Sequence, residues 1–232
     1  MALRPEIEAD QYDDVLESAS QRDQAYERIR RLLILQQVPE GERLREAEWA
    51  QRLGVNRTAL REAFARLEAE GLIQKGLKTG YLLPILTDSG IREIVEVRNI
   101  LEGGAIERII RLGLNTPRHL EVMLESCDQL ERLVREEYHL GVAEADRRYH
   151  EALVDAAQNR RLASLYARAP LPIVHPILVT GRHWEDTVRR TLEEHRSILG
   201  AILAGERELA RQRLRLHLMD RHIGPHVELT PG

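Results

Sequence analysis

The sequence predicts a mainly α protein in which a small N-terminal unit of helices with one β-hairpin precedes an all-α antiparallel bundle. Three observations support this fold class. Ala, Leu, Arg and Glu are abundant among the 232 residues while aromatic residues make up only 4%, which favours helices over sheets. Apolar residues recur at helical spacing along most of the chain. One segment, residues 72–83, carries the pattern of a hairpin instead.

The first 21 residues are acidic and weakly patterned. They hold one Arg against six Asp and Glu, so we expect an N-terminal tail that is mobile, the alternative being a short helix packed on the rest of the chain. Apolar residues at helical spacing then predict a helix from Gln24 to Gln36, and residues 39–42 predict a turn.

Two short helices joined by a tight turn are predicted next. Ala47, Ala50 and Leu53 suit one packed face of the first helix, with Trp49 beside them. Gly54 follows as the C-terminal stop, because glycine adopts the left-handed conformation without a steric cost. Val55 then restarts the chain and is expected in the core.

The second of these helices has an apolar stripe that leaves several polar residues outside it. Asn56 is the expected N-cap, although Thr58 could also serve. Arg57, Thr58 and Arg61 lie at the N-terminal end, outside or at the edge of the stripe, and Gly71 ends the helix. The stripe consists of Ala59, Leu60, Ala63, Phe64 and Leu67.

A β-hairpin is predicted after Gly71. The short apolar runs 72–74 and 81–83 flank a turn that carries Lys75 and Lys78, the two lysines of the chain. Flexible ammonium groups on an exposed tip suit contact with phosphate, and the alternative is a solvated turn. Two helices followed by such a hairpin form the layout of a winged helix-turn-helix, which presents its second helix to the major groove of DNA.

The charge distribution agrees with that interpretation although the net charge of the whole chain is −4. Residues 22–84 hold twelve Lys and Arg against nine Asp and Glu, so the basic surplus lies in the segment with the motif. Because this surplus is modest, we expect a dimer with a few placed contacts. The partner would be double-stranded operator DNA, with Arg able to bond guanine through two donors.

The chain from residue 85 onward is predicted to be helical. Pro84 to Ser89 forms the boundary, where Thr87 or Asp88 can cap a new helix. Gly and Pro residues, among them Gly113, Pro117 and Gly141, separate the following segments. The predicted helices span 88–112, 117–139, 142–157, 160–168, 172–180, 184–204 and 206–222, which suits an antiparallel all-α bundle.

Four residues of this bundle form a candidate metal site. Asp146 and His150 are four residues apart and share a helix face, while His195 and His217 lie in the middle of two later helices. Three imidazoles and a carboxylate that project inward would suit a divalent transition metal. The alternative is a set of surface or hydrogen-bonded core histidines, since the chain has nine His.

The helix-turn-helix segment resembles the DNA-binding domain of the GntR family of bacterial transcription regulators. The matching residues include Leu44, Glu46, Arg66 and the run Arg61-Glu62-Ala63, while Ala47 stands where many members carry an Arg. The resemblance implies a DNA-binding domain over residues 22–84. The candidate DNA contacts are Arg45, Asn56, Arg57, Thr58, Arg61, Lys75, Lys78, Thr79 and Gly80.

The second half is similar to the FCD domain, the helical effector-binding half of the FadR subgroup of that family. The segment Glu96 to Glu102 matches its opening, and Asp146-x-x-x-His150 with His195 and His217 matches its metal ligands. The resemblance implies an effector-binding and dimerisation domain over residues 85–228. Zinc is the expected metal, with nickel or manganese as alternatives.

The resemblance also implies a small organic acid or sugar acid as effector. Arg98 could clamp its carboxylate with two hydrogen bonds, or pair instead with Glu102. Arg147 and Arg148 are further candidates for the pocket. Other polar or aromatic residues of the domain, such as Cys127, Trp184 and the histidines at 175, 183, 222 and 226, are expected to be structural or solvated.

These observations predict a ligand-responsive, dimeric transcription regulator, with repression as the expected direction. The alternatives are a metal-dependent enzyme built on the bundle and an architectural protein that uses its helices for dimerisation. With a single cysteine no internal disulfide can form, which suits a reducing cytoplasm. The chain contains no apolar run of 18 or more residues and no signal-like start. Neither a membrane span nor secretion is therefore predicted.

Overall fold

A computed structural model describes residues 20–34, 37–39, 41–76, 80–84, 87–136, 138–167 and 184–222. Within these ranges it shows a mainly α protein with a small three-stranded sheet, as predicted. The predicted helix 172–180, the contacts assigned to Lys78 and Thr79, and nearly all of the acidic tail lie outside the described residues.

Three helices and three short strands form the N-terminal unit in the part of it that the structure describes. The first helix begins at Gln21, three residues earlier than predicted, so Ser20 and Gln21 belong to this unit and not to the tail. The elements are α1 (Gln21–Ile34), β1 (Arg43–Leu44), α2 (Glu46–Leu53), α3 (Arg57–Ala69), β2 (Gln74–Lys75) and β3 (Tyr81–Leu82).

The N-terminal unit has its own apolar core. Trp49 from α2, Phe64 from α3 and Ile29 from α1 are fully buried, and the whole stripe predicted for α3 is buried with them. The prediction that Ala47 lies on the packed face is wrong, because Ala47 is exposed. The bulky Trp49 fills that side of α2 together with Ala50.

The turn between α2 and α3 has the predicted chemistry. Gly54 adopts φ +67°, and its backbone N–H donates to carbonyls of α2. Asn56 caps α3, with its side-chain oxygen accepting from the N–H of Ala59 at 2.8 Å. Asn56 also donates from its amide to Gln21 Oε1 at 2.6 Å, which ties the start of α3 to the start of α1.

The wing differs from the predicted hairpin in having a third strand. β3 lies between β1 and β2 and pairs with both in antiparallel fashion, with Arg43 opposite Leu82 and Lys75 opposite Tyr81. The first hairpin strand begins at Gln74, later than predicted. Lys75 therefore lies in a strand, with an exposed side chain, and not in the turn.

Gly80 is required by this wing geometry. Its φ is +94°, and a Cβ at this position would lie 2.8 Å from the carbonyl oxygen of Leu44. We expect Gly80→Ala to lower the free energy of unfolding by more than about 1 kcal/mol, because both the backbone conformation and the contact oppose a side chain. Urea denaturation measures this change.

The matched control is Gly200→Ala. Gly200 lies inside a helix, and a Cβ there would meet nothing within 4 Å. This variant should be neutral or more stable by up to about 1 kcal/mol, because alanine is the better helix former. Equal stabilities of the two variants would contradict the role assigned to Gly80.

Within the described residues, six further helices form the second unit: α4 (Asp88–Arg111), α5 (Glu121–Arg135), α6 (His139–Ala156), α7 (Arg160–Tyr166), α8 (Trp184–Leu203) and α9 (Arg207–His222). α4 packs against α6 and α9, α5 packs against α6 and α8, and α8 packs against α9. Their buried apolar residues form one continuous core that includes Cys127, whose pKa burial raises to about 11.

Two boundaries in this unit differ from the prediction. Pro117 lies in a run of turns and α5 begins only at Glu121, so the helix predicted from 117 is shorter at both ends. Gly141 does not separate helices but lies inside α6. A Cβ at Gly141 would lie 2.8 Å from Leu133 Cδ2, so this glycine serves the close packing of α6 on the end of α5.

An ion pair joins the two units. Arg30 on α1 is mostly buried and pairs with Glu144 on α6, and α1 contacts α6 at this point. Glu144 also accepts from Arg147 Nε at 3.0 Å. None of the helices in the described ranges is both long enough and apolar enough to cross a membrane.

Candidate metal centre and nucleic-acid interface

Three helices bring the four predicted metal ligands together. α6 supplies Asp146 and His150, α8 supplies His195, and α9 supplies His217. One ligand atom from each residue lies within 4.8 Å of the others, and all three imidazoles are buried. The fold therefore creates a compact group of three nitrogen donors and one carboxylate that could hold a divalent metal.

Carboxylates outside this group fix the orientation of two imidazoles. His150 donates from Nδ1 to Glu102 Oε2 at 2.7 Å, and His217 donates from Nδ1 to Glu194 Oε2 at 2.8 Å. Each of these rings then directs the lone pair of its Nε2 inward. Carboxylate–histidine pairs of this kind set the tautomer and the basicity of histidines that bind metals.

The inward-facing atoms suit a cation. Nε2 of His150 lies 3.1 Å from Nε2 of His217, so two lone pairs face one another when both Nδ1 atoms carry the protons. That approach becomes favourable when a cation binds both nitrogens. His195 Nε2 lies 3.4 Å from Asp146 Oδ1, which adds a third nitrogen and the carboxylate to the same point.

Tyr149 supports the third histidine. Its ring stacks on that of His195 with a centroid distance of 3.8 Å and an interplanar angle of 5°. Its hydroxyl donates to the carbonyl oxygen of His195 at 2.9 Å. Burial raises the pKa of Tyr149 well above its usual value, so the hydroxyl stays protonated.

A buried ion pair lies directly behind His150. Arg98 Nε donates to Glu102 Oε1 at 2.8 Å, and the hydroxyl of Tyr166 donates to the same oxygen at 2.9 Å. Burial alone would raise the pKa of Glu102, but the charge of Arg98 and the hydrogen bonds from His150 and Arg98 lower it to about 2. Glu102 is thus ionised and serves both Arg98 and His150.

The structure places the predicted effector residue Arg98 beside the metal ligands, and its side chain is occupied by Glu102. Arg147 and Arg148, the other candidates, pair elsewhere. Arg147 bonds Glu144 and Glu151, and Arg148 lies 3.4 Å from Glu125 on α5.

Sequence reasoning missed Glu194 and the support given by Tyr149, and it treated Glu102 as a partner of Arg98 alone. Glu194 directly precedes His195, so on α8 it points about 100° away from that ligand and towards His217 on α9. An acidic residue next to a ligand histidine could have suggested this role.

The predicted DNA contacts form an exposed end of α3. Arg57, Thr58 and Arg61 are exposed, as is Arg45 just before α2. Arg61 pairs with Glu46, with the shorter of two contacts at 3.0 Å. Glu46, at the start of α2, was not assigned a role in positioning Arg61.

The other candidates have structural contacts of their own. Asn56 caps α3, so its side-chain oxygen is already used. Lys75 lies 3.4 Å from Glu68, both at the surface. Gly80 lies against Leu44 in the sheet, directly before β3.

Two family models match the chain. The model described as bacterial regulatory proteins of the gntR family matches residues 21–80, and that of the FCD domain matches residues 93–220. The second match covers more than half of the chain. The first contains the exposed end of α3, and the second contains all four potential metal ligands.

Relatives and solved structures agree with these matches. An uncharacterized HTH-type transcriptional regulator of Bacillus subtilis, YdhC, is 27% identical over 84% of this chain and 86% of its own length. A probable D-xylose utilization operon transcriptional repressor of Paenarthrobacter nicotinovorans is 27% identical over 83% and 81%. The structure of E. coli McbR/YncC shares the fold with a TM-score of 0.68, at 19% identity over 87% of this chain and 95% of that one.

Proposed function

Because this chain belongs to the GntR family of bacterial transcription regulators and carries its FCD domain, we propose that it is a metal-containing repressor whose affinity for operator DNA is lowered or raised by a small acid. Residues 22–84 bind operator DNA as a winged helix-turn-helix. Residues 85–228 hold the metal and the effector and join two copies into a homodimer. The family consists of regulators and not of enzymes, so the bundle is a sensor rather than a site of turnover.

One observation carries the sensor part of this proposal. The Nε2 atoms of His150 and His217 face one another at 3.1 Å, while Glu102 accepts from Nδ1 of His150 and Glu194 accepts from Nδ1 of His217. A divalent cation bound by these nitrogens, His195 and Asp146 would remove the repulsion between the lone pairs. Zinc suits this set of donors best, with nickel or manganese as alternatives.

The effector proposed for this centre is a small carboxylate or sugar acid. A bound metal would supply a positive charge, and oxygen ligands of the effector would bind it if its coordination expands beyond the four protein ligands. Arg98 on α4 is buried and interacts with Glu102 and Asp146, so it adds a guanidinium at the same place. The guanidinium of Arg98 can donate to a carboxylate of the effector if it bonds that group and Glu102 at the same time.

Selection of duplexes from a random-sequence pool tests the DNA-binding part. The purified chain should enrich a near-palindromic motif, and the affinity for that motif should fall steeply with added salt. A thermal-shift screen of sugar acids and small carboxylates, with zinc and with chelator, tests the sensor part. If no motif is enriched, the proposal that the chain regulates specific operators is contradicted.

The ion pair between Arg30 and Glu144 offers a path from the metal centre to DNA. Glu144 lies two residues before Asp146 on α6, so a shift of α6 on metal or effector binding moves the partner of Arg30. Arg30 lies on α1, whose Ile29 and Leu33 pack in the same core as α3. The position of α3 would thus depend on the state of α6.

We expect Arg30→Met to reduce the coupling between metal and operator while leaving the metal-free affinity nearly unchanged. Couplings of this type are about 1–3 kcal/mol, so wild-type operator affinity should differ about 5- to 150-fold between chelator and zinc. Arg147 still neutralises Glu144 in the variant, which limits any loss of stability. Binding isotherms on a selected operator under both conditions measure the coupling.

Arg148→Met is the control, because Arg148 lies on the same helix but pairs within the bundle. It should retain the wild-type coupling. Equal coupling in both variants and wild type would show that the Arg30–Glu144 pair does not transmit the signal.

A further inference from the structure

Helix α1 begins beside the end of α3 that is proposed to recognise DNA. Gln21, the first residue of α1, accepts at its side-chain oxygen from the amide of Asn56 at 2.6 Å and from the backbone N–H of Asn56 at 3.2 Å. Arg22 lies 3.7 Å from Glu62 in the second turn of α3. The chain that precedes α1 therefore joins the protein next to the exposed N-terminal end of α3.

Two arginines at this end carry charges that the described part of the chain does not balance. Arg45 and Arg57 are exposed, and neither takes part in an ion pair within that part. Arg61, one turn after Arg57, bonds Glu46, which directly follows Arg45, so the three arginines belong to one surface. An anionic partner at this place would gain from more than one cation. We call this surface, formed by Arg45, Arg57, Thr58 and Arg61, the recognition surface.

The chain before α1 carries the complementary charge. Residues 1–19, which we call the acidic segment, have a net charge of −5 and lie outside the described residues. An extended chain advances about 3.3 Å per residue, so half of this segment is longer than α3, whose 13 residues rise about 1.5 Å each. The segment can thus reach the whole recognition surface. Its acidic residues are Glu6, Glu8, Asp10, Asp13, Asp14 and Glu17, against one Arg.

We propose that the acidic segment docks on the recognition surface when DNA is absent and competes with operator DNA for it. The proposal rests on the DNA-binding surface of the proposed function and adds its regulation by the chain itself. Carboxylates of the segment take the place of phosphates as partners of Arg45 and Arg57. Because the segment and DNA are both anionic, they repel one another, and the segment has to leave before the operator binds.

The covalent connection favours this occupant over a separate acidic protein. A short connection supplies an effective concentration in about the millimolar range. A contact with a dissociation constant of about 0.1–1 mM would then be formed at least half of the time, and it would lower the apparent operator affinity about two- to tenfold. Since the contact is between exposed charges, added salt should weaken it.

Neutralisation of the acidic segment in the full-length chain tests the competition. The triple variant Asp13→Asn, Asp14→Asn and Glu17→Gln should bind a selected operator at least about twofold more tightly than wild type at low salt. The ratio of the two affinities should approach one as salt is added, because salt screens the contact that the variant lacks. Fluorescence anisotropy of the labelled operator measures both affinities.

The matched control changes the net charge equally in the second unit. Its substitutions are placed at exposed acidic residues that form no ion pair within the described ranges. This control should bind the operator with wild-type affinity, and circular dichroism confirms that both variants are folded. The control carries Glu121→Gln, Asp155→Asn and Glu206→Gln.

A measurement without DNA separates docking from repulsion in the complex. An isotope-labelled peptide with the sequence of residues 1–19 should bind the triple variant, and should bind wild type at least about twofold more weakly because the attached segment occupies the surface. Adding Arg45→Ala with Arg57→Ala to the triple variant should weaken peptide binding at least about twofold. Adding Arg111→Ala should not, because Arg111 is also exposed but ends α4 in the second unit. Chemical-shift titration measures these affinities.

The outcomes distinguish docking from its alternatives. Equal operator affinity of wild type and the triple variant would overturn the proposal, as would peptide binding that the substitutions at Arg45 and Arg57 leave unchanged. A gain in operator affinity without any peptide binding would show that the segment only repels DNA in the complex, and it would overturn docking as well. Peptide binding by a chain that selects no operator would support docking and count against the proposed function alone.

Discussion

Purified protein should contain close to one divalent metal per chain, and His195→Ala with His217→Ala should remove it. The two substitutions take away half of a ligand group whose atoms lie within 4.8 Å of one another. Zinc at about a thousand times its dissociation constant would stabilise the folded chain by about 4 kcal/mol, so the chelator-treated protein should melt at a clearly lower temperature. Elemental analysis and thermal unfolding measure both effects.

Two further variants separate metal binding from general damage. His119 is an exposed histidine that bonds Thr116, so His119→Ala should keep the metal and its stabilisation. Glu194→Gln should keep a metal site but lower its affinity about 10- to 100-fold, because the carboxylate that orients His217 is weakened. Metal-free wild-type protein whose melting temperature does not change with zinc, nickel or manganese would eliminate the proposed centre.

The helical pattern predicted most of the fold because each helix buries one regular stripe. The stripe of α3 and the turn at Gly54 follow from local spacing and from the conformational freedom of glycine, and both were confirmed. β1 could not be predicted in this way, since its two residues are extended only through pairing with β3. The prediction that Gly141 separates two helices was wrong, because this glycine lies inside α6. Its lack of a side chain allows α6 to pack closely against Leu133.

The candidate metal ligands were predicted, but their surroundings were not. The four-residue spacing of Asp146 and His150 fixes a common face on one helix, whereas the approach of His217 depends on how α6 and α9 pack. Glu102 and Glu194 acquire their roles only when α4 and α8 bring them to the Nδ1 atoms. Such convergence depends on tertiary structure, and no local pattern of the sequence encodes it.

Arg57→Ala and Arg61→Ala should each cost about 1–3 kcal/mol of operator binding if each guanidinium bonds a base through two donors. Because Ala47 stands where many members of the family carry an Arg, we expect these two side chains to carry more of the recognition. Glu46 holds Arg61 at 3.0 Å in the structure, so the guanidinium is held in place before DNA arrives. Quantitative binding to a selected operator and to its single-base variants measures the loss.

The pattern of loss distinguishes the two kinds of contact. A base contact predicts relaxed discrimination at one position, whereas a phosphate contact predicts an equal loss on every sequence and a salt slope smaller by about one. Arg61→Lys keeps the charge but not the two-donor geometry, so it should lose discrimination and retain affinity for non-specific DNA. Arg66→Ala at the opposite end of α3 is the control and should leave discrimination intact in folded protein. Unchanged operator binding in both Arg57→Ala and Arg61→Ala would show that the N-terminal end of α3 is not the surface that recognises DNA.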